Sequence, residues 1–454
     1  MVRFYINWMP ENAYGSYSLI FSWIMFLNVF LSFGMETAFF RFYNKKDNQN
    51  EVIANALYII IALCLLFIIP SVVFINQISN YFLTDPTVTL FLIGILILDA
   101  LVVVPFAMLR ANEKSGIFTS IKIVNVLLYS SLTVLFLYGL PHFFPQSQFY
   151  IKNFEVGYAY LANLIASFIC FIFVSKSYSY LRFKFNWHLA KEMLIYAYPV
   201  MIGGLCFAIN ESFDKIILDW VLPKDIAIIE VARYSAIYKL GLFMVLFRMA
   251  YSLGIEPFFF NYSKNEDAHI KYAFVTKYFV LFGSFMMLCI VIGSDILKIL
   301  MIPKASYWSA MEIVPYVILA NLFLGIYTNL SVWYKIQDKT KVGMYISIIG
   351  AFLTFLFNLI LIPIFGILGC AIATLLVYTF MMFTSYTLGQ KSYPIPYDKR
   401  SIGLYLGTST LFSFLYFYQF RENYWIGFIF VTILAVLIIW NERTLLKQML
   451  SLKK

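Results

Sequence analysis

Charged side chains inside an apolar segment are the first chemically informative feature of the sequence. The stretch INESFDK, residues 209–215, places Glu211, Asp214 and Lys215 between two apolar runs. On a helix, Glu211 shares a face with Lys215, and Asn210 shares one with Asp214, because residues four apart are neighbours. A charge at bilayer depth usually faces protein or water and serves a function. Structural pairing within this polar stripe, or snorkelling of Lys215 to the membrane surface, is the alternative.

Three more cations lie in the next apolar segment, 231–255: Arg233, Lys239 and Arg248. Arg248 is about midway along this segment and too deep for easy snorkelling, whereas Arg233 is near enough to its end to be an interfacial anchor. On one straight helix, Arg233 and Arg248 would lie within about 60° of each other. Arg binds phosphate as a bidentate fork and Lys as a point charge. Together with Lys215, these cations predict a site for an anionic group such as pyrophosphate.

Carboxylates are rarer in the apolar segments. Asp99 sits in LILDALVVVP, where it is either a coupling site or a protonated buried acid. Glu36 and Arg41, in FGMETAFFRFYNK, straddle a predicted inner helix end and are either an interfacial clamp or a substrate contact. Glu256 precedes Pro257, where a kink or a helix end is expected.

The composition explains why charges in these segments are informative. The 454 residues are 62% hydrophobic and 12% charged, which excludes an ordinary soluble domain and predicts a polytopic membrane protein. The five cysteines are isolated and the three histidines fall in predicted loops, so no metal, cofactor or disulfide framework is expected. No large loop carries a carboxylate pair or a histidine cluster, which argues against a membrane glycosyltransferase, polymerase or ligase and hence against an enzyme.

The positive charge follows the predicted topology. About thirteen segments reach the roughly 20 apolar residues that a spanning helix needs. Of the 33 Lys and Arg, 23 fall in one set of alternating loops and six in the other, so the first set and the C-terminus are expected to be cytoplasmic. The net charge of +10 is thereby explained without nucleic acid. The four remaining cations are those of the two charged segments.

Several longer stretches carry a resemblance to a known family. They are YGSYSLI, FGMETAFFRF (33–42), MLRANEK (108–114), NESFDKIIL (210–218), YSAIYKLGLFMVLFRMAYSLGIEPFFF (234–260), the long stretch 329–363 and GQKSYPIPYDKR (389–400). With them the chain resembles the polysaccharide (O-antigen type) flippase branch of the multidrug/oligosaccharidyl-lipid/polysaccharide exporter superfamily, in a form common in Bacteroidetes. The resemblance covers nearly the whole chain.

The resemblance implies a fold, a location and an activity. The fold would be all-α, with two six-helix lobes in a V around a central cavity (1–178 and 190–390) and two extra helices in 400–454. The activity would be translocation of undecaprenyl-pyrophosphate-linked oligosaccharide across the bacterial inner membrane by alternating access, coupled to H⁺ or Na⁺ and serving the polysaccharide assembly machinery. Substrate contacts are expected at Arg248, Lys239, Lys215, Arg233 and Arg41. Coupling or polar wall residues are expected at Glu211, Asp214, Asn210, Asp99, Glu36 and Glu256.

Two departures from the family pattern accompany this interpretation. Family members have fourteen helices, and MPENAYGSYS resembles the loop after the first, so the chain is expected to lack that helix. The family often has Arg where Lys215 stands, and Lys keeps the charge but loses the bidentate fork.

The alternative function is a cation-coupled antiporter of the multidrug and toxin extrusion type. Such an antiporter would need acidic residues in its first lobe, where Asp99 alone lies at mid-span. A non-transporting scaffold would leave the buried cations unexplained.

Overall fold

The chain is an all-helical membrane protein. A computed structural model describes residues 1–44, 48–263 and 265–443, except for the side chains of Glu256, Pro257, Phe260 and Asn261, and every regular element in these residues is a helix. Twelve helical segments in this described part are long and apolar enough to cross a membrane, which confirms the multi-pass prediction. The remaining predicted span, 402–419, is a 21-residue helix but is not apolar enough to be counted with the twelve.

The described residues divide into two compact units, the first formed by Arg3–Asp219 and Lys224–Ala232. Its helices are α1 (Val2–Trp8), α2 (Glu11–Ser32), α3 (Met35–Tyr43), α4 (Gln49–Val73), α5 (Ile75–Phe82), α6 (Pro86–Leu101), α7 (Val103–Ala111), α8 (Ser115–Val134), α9 (Leu140–Phe143), α10 (Glu155–Val174) and α11 (Trp187–Val221). A π-helical turn joins α8 to α9, and a 3₁₀ segment, Ser175–Arg182, follows α10. The stretch MPENAYGSYS, expected to be a loop, is mostly helical, because α2 begins at Glu11, and α1 precedes it.

The second unit comprises the described residues from Arg233 onward. Its helices are the end of α12 (Lys224–Tyr238), α13 (Leu242–Tyr262), α14 (Ala268–Ile292), α15 (Ser294–Met301), α16 (Val314–Leu330), α17 (Val332–Ile336), α18 (Thr340–Phe365), α19 (Ile367–Ser392), α20 (Lys399–Gln419) and α21 (Tyr424–Asn441). Two 3₁₀ segments, Lys239–Gly241 and Ala305–Ile313, precede α13 and α16.

Each unit has its own packed interior. In the first unit α10 packs against both α6 and α8, and Cys170 of α10 is buried in one apolar cluster with Phe106 of α7 and Ile121 of α8. In the second unit α19 packs against α16 and α18, and α14 packs against α16 and α20. Helices in lipid gain little from the hydrophobic effect, so close van der Waals packing holds such bundles together.

Two helix boundaries follow from glycine. Gly34, between α2 and α3, has φ of +65°, and a Cβ there would lie 2.7 Å from the carbonyl oxygen of Ala197 on α11, so the close approach of α11 requires a glycine at this turn. Gly366 (φ +55°) is the turn between α18 and α19. The turn is short, because α18 includes Pro363 and runs to Phe365.

Candidate functional site

The stripe predicted around INESFDK lies on α11, which has 35 residues and thus exceeds the length needed to span a bilayer. Asn210 and Asp214 are buried, and Glu211 and Lys215 are partly buried. The Lys215 Nζ lies 3.5 Å from the Asp214 Oδ1, and their side chains are 12% and 5% exposed. Lys215 is therefore held inside protein and does not extend along a lipid-facing surface.

Aromatic packing fixes the orientation of α11 within the first unit. The ring of Phe213, next to Asp214, lies 6.2 Å from that of Trp23 and 5.5 Å from that of Phe26, both on α2. One turn further along, Asp219 accepts a hydrogen bond of 3.2 Å from the Tyr81 hydroxyl on α5. The stretch INESFDK is thus held by contacts within it, at Phe213, and one turn after it, at Asp219.

The second charged segment is two helices rather than one. The 3₁₀ segment Lys239–Gly241 separates α12, which carries Arg233, from α13, which carries Arg248. The angular estimate for one straight helix therefore does not apply across this turn. A 3₁₀ stretch within a long helix often marks a hinge or a strained sequence. A Cβ at Gly241 would lie 2.9 Å from the Val317 side chain, so the turn packs closely on α16.

Arg248 lies on the side of α13 that faces α16. Its Cδ is 3.6 Å from the position that a Cβ on Gly325 would occupy, which puts the arginine within van der Waals range of α16. One turn further, the Tyr251 hydroxyl donates a 2.6 Å hydrogen bond to Asn329 Oδ1. Arg233, Lys239 and Arg248 are all partly buried, so none of the predicted cations in the two charged segments is an exposed side chain.

Asp99, on α6, is the centre of a polar contact among three helices of the first unit. Its two carboxylate oxygens accept hydrogen bonds from Ser167 Oγ on α10, at 3.0 Å, and from Asn28 Nδ2 on α2, at 3.4 Å. Asp99 is thus satisfied by neutral donors. Lys122 on α8, counted as a loop residue in the charge distribution, lies seven residues inside its helix, with its Nζ 4.8 Å from the centre of the Phe106 ring.

Glu36 and Arg41, both on α3, have separate partners. The Glu36 Oε1 lies 2.8 Å from Arg110 Nη2 on α7, and both side chains are substantially exposed. The Arg41 guanidinium stacks 4.1 Å above the ring of Tyr196 on α11. These contacts tie α3 to its neighbours within the first unit. The side chain of Glu256 lies outside the described part of the chain, and α13 continues to Tyr262, so the helix end expected near Pro257 is not observed.

Two ion clusters in the second unit were missed by the sequence prediction. Asp295, on α15, accepts hydrogen bonds from Lys298 one turn away and from Arg421, whose Nη2 lies 2.8 Å from Oδ1. Burial by itself raises the pKa of the Asp295 carboxyl, but the bonds from Arg421 and Lys298 outweigh it and hold this pKa below its ordinary value. The Asp295–Lys298 spacing of three residues is the only sequence signal for this cluster.

The second cluster joins α14 to the ends of the last two helices. Lys277 Nζ lies 2.6 Å from Glu442 Oε1 and 3.2 Å from Asp398 Oδ2. Glu442 also accepts hydrogen bonds from the hydroxyls of Tyr278 and Tyr405. Burial raises the pKa of Glu442, and the contacts with Lys277 and the two tyrosines more than reverse this effect, so its pKa is lowered. No group of metal-binding side chains is found among the described residues.

Comparison with known proteins gives one family and several solved structures with a similar fold. A family model described as polysaccharide biosynthesis protein matches residues 2–263. An uncharacterized membrane protein of Methanocaldococcus jannaschii is 24% identical over 410 residues, which are 83% of this chain and 77% of that protein.

Three solved structures share the fold over most of the chain. The lipid II flippase MurJ in an inward closed conformation has a TM-score of 0.73 at 15% identity, over 97% of each chain. An inward-facing multidrug resistance transporter of the MATE family has a TM-score of 0.62 at 16% identity, over 86% of this chain and 92% of its own. The MATE multidrug transporter DinF-BH has a TM-score of 0.58 at 15% identity, over 88% of this chain and 91% of its own.

Proposed function

The chain belongs to the polysaccharide biosynthesis protein family, and from that premise we propose that it is a flippase for lipid-linked oligosaccharide. Family and fold agree with the predicted membership of the multidrug/oligosaccharidyl-lipid/polysaccharide exporter superfamily, which is thereby confirmed. The substrate we propose is an undecaprenyl-pyrophosphate-linked repeat unit of O-antigen, capsule or exopolysaccharide. The protein would act in the bacterial inner membrane, with a cytoplasmic C-terminus, as a transporter without a catalytic step.

The observation that carries this proposal is the partial burial of the four cations in two consecutive spanning segments: Lys215, Arg233, Lys239 and Arg248. Charges at membrane depth are costly and are usually retained for a function. A cationic side chain favours an anionic ligand, and the pyrophosphate of a lipid-linked glycan is anionic and meets the protein within the membrane. Arg41, on α3, is proposed as a further contact with the substrate.

Alternating access is proposed as the mechanism. The cations would meet the pyrophosphate from the cytoplasmic side and release it on the other, and the 3₁₀ turn at Lys239 is a natural place for the helix to bend. The predicted lobes, 1–178 and 190–390, would be the moving parts, with the two helices of 400–454 as an addition. The carboxylates and Asn210 would form the polar wall or the coupling site. Asp99, bonded by Ser167 and Asn28, is the residue proposed to take H⁺ or Na⁺.

The experiment uses spheroplasts of the source bacterium depleted of this protein. Undecaprenyl-linked oligosaccharide exposed on each leaflet is measured before and after the chain is supplied again. The proposal expects accumulation on the inner leaflet during depletion and its disappearance on resupply, and the absence of accumulation would refute it. The assembly machinery is a control, because loss of a downstream polymerase should leave the lipid-linked units on the outer leaflet.

A second function is favoured by the likeness to MATE transporters. In this alternative the chain would exchange cationic drugs for H⁺ or Na⁺, with Asp99 as the acidic coupling residue. The same depleted cells distinguish the two functions, since an antiporter would change their retention of a cationic dye and leave the lipid-linked glycan unaffected. The cationic residues in α11 to α13 favour the flippase.

A further inference from the structure

An apolar cavity lies inside the first unit, and two of its lining residues, Trp23 and Tyr81, also contact α11. Its volume is about 370 Å³, in the range of ligand pockets, and it is bounded by α2, α4, α5 and α6. Ten of its fourteen lining side chains are apolar, among them Trp23, Leu27, Phe67 and Leu96. All four bounding helices belong to one compact unit, so the cavity is a feature of that unit alone.

The polar side chains of the cavity are confined to one end. Gln77 and Tyr81 are on the short helix α5, Ser71 is in the last turn of α4, and Thr89 is in the first turn of α6, where its hydroxyl hydrogen-bonds that of Ser79 on α5. From Thr89 the wall continues along α6 to Leu96, about 10 Å further at 1.5 Å per residue. The cavity thus has a polar rim and an apolar interior, as a site for an amphiphile has.

In a membrane, the apolar ligand available to this cavity is the hydrocarbon chain of a lipid. α2, α4 and α6 all belong to segments that can span a bilayer, so the cavity lies at the depth of lipid chains. A volume of 370 Å³ accommodates roughly a dozen methylene groups if each needs about the space of a water molecule. One segment of a lipid chain therefore fits.

The rim determines which lipid head group fits. The Tyr81 hydroxyl donates to Asp219 Oδ2, and Lys224 Nζ lies 3.6 Å from the same oxygen and 5.7 Å from the centre of the Tyr81 ring. Lys224 is 73% exposed and can turn toward a ligand, whereas Asp219 is buried. A purely anionic head would be attracted by Lys224 and repelled by Asp219. A head that carries both a phosphate and an ammonium group complements both.

We propose that the first unit binds a zwitterionic phospholipid of the phosphatidylethanolamine class, with one acyl chain in the α2–α4–α5–α6 cavity and the phosphate at Lys224. The lipid's ammonium group lies toward the Asp219 carboxylate and the Tyr81 ring. This site is separate from the proposed transport function and does not depend on it.

Trp23 gives a direct test because it lines the cavity. The full chain is placed in nanodiscs of phosphatidylglycerol that contain a minor fraction of phosphatidylethanolamine, with bromine on the acyl chains of one lipid at a time. Bromine quenches tryptophan fluorescence on contact, and the Trp23→Phe variant isolates the Trp23 contribution. The proposal expects quenching of Trp23 by brominated phosphatidylethanolamine in excess of that by an equal fraction of brominated phosphatidylglycerol.

Four variants separate the chain site from the head site. Leu96→Phe and Leu92→Phe each fill the cavity and should abolish the excess quenching, whereas Leu66→Phe, on the exposed face of α4, should not. Lys224→Gln should remove the preference between the two lipids while both still quench. Equal quenching that the filling variants leave unchanged would overturn the proposal. Displacement by a polyprenyl phosphate but not by unbrominated phosphatidylethanolamine would also overturn it.

Discussion

The ammonium group of Lys215 lies 3.5 Å from the carboxylate of Asp214, its neighbour in sequence, and both side chains are almost wholly inside the protein. On α11 Lys215 also shares a helix face with Glu211, four residues earlier, as the sequence pattern predicts. Contacts around Phe213 orient this part of α11, so the buried carboxylate beside Lys215 is Asp214. A cation this close to a buried carboxylate has a structural task, which must be separated from any contact with substrate.

Removing the positive charge alone should therefore destabilise the protein. Lys215→Met leaves the buried Asp214 carboxylate without this neighbour, and breaking a buried pair in this way costs about 3–5 kcal/mol. The double variant Lys215→Met with Asp214→Asn should recover much of that loss. A double-mutant cycle on the thermal midpoint in detergent measures the coupling. If the stable double variant also transports at the wild-type rate, Lys215 does not contact the substrate.

Arg248 is the residue expected to bind the pyrophosphate most strongly. Loss of a charge-assisted hydrogen bond of about 1.5–3 kcal/mol predicts that Arg248→Ala slows transport about 10- to 100-fold. Arg248→Lys should lose less, because it keeps the charge and gives up only the fork. Transport is measured at matched amounts of protein in the membrane, with the exposed loop variant Lys152→Ala as the control. Normal transport by Arg248→Ala would remove this residue from the site.

Hydropathy predicts the helices of this fold well for two reasons. A spanning segment must be apolar over the thickness of the bilayer, and inside the bilayer it must satisfy its backbone hydrogen bonds within its own helix. The points at which a helix is interrupted within a span are harder to predict from the sequence. Phe33 and Gly34 adopt left-handed conformations where α11 passes, and the 3₁₀ turn at Lys239 packs on α16, so tertiary contacts decide both.

Part of the candidate site can also be predicted from the sequence. Lys215 and Arg248 stand out because a charge in an apolar run is rare. Lys277 lies near the start of its span, where the sequence counts it among the loop cations, and its partner Glu442 lies 165 residues further along the chain. No periodicity connects two such residues, so only the folded structure identifies the pair.

Gly34 should not tolerate a side chain. In Gly34→Ala the left-handed backbone alone costs about 1–2 kcal/mol, and the added Cβ would lie 2.7 Å from the Ala197 carbonyl oxygen. We expect a lower thermal midpoint and a weaker contact between α3 and α11. Gly203→Ala, on α11 with open space around its Cβ, is the matched control and should leave stability unchanged or raise it by about 1 kcal/mol. Equal effects of the two substitutions would contradict the packing argument.

The Asp295–Arg421 contact predicts a specific pH dependence. The folded-state pKa of Asp295 is lowered, so its stabilising contribution is complete above the ordinary Asp pKa of about 3.9 and is lost as the pH falls through the lowered value. Asp295→Asn should therefore be less stable than the wild type at pH 7, and the difference in thermal midpoint should shrink as the pH falls below about 4. A difference that stays constant over that range would show that the Asp295 charge is not its source.

The Lys277–Glu442 contact should hold the last two helices to α14. Glu442 joins Lys277, Tyr278 and Tyr405, so Glu442→Gln weakens one ion pair and two hydrogen bonds to a carboxylate at once. We expect faster hydrogen exchange at the start of α20 and the end of α21, and a lower thermal midpoint. Glu266→Gln, at an exposed position before α14, removes the same charge without these contacts and should change neither measurement. Unchanged exchange in Glu442→Gln, with the control also unchanged, would mean that apolar packing against α14 holds the two helices without this ion pair.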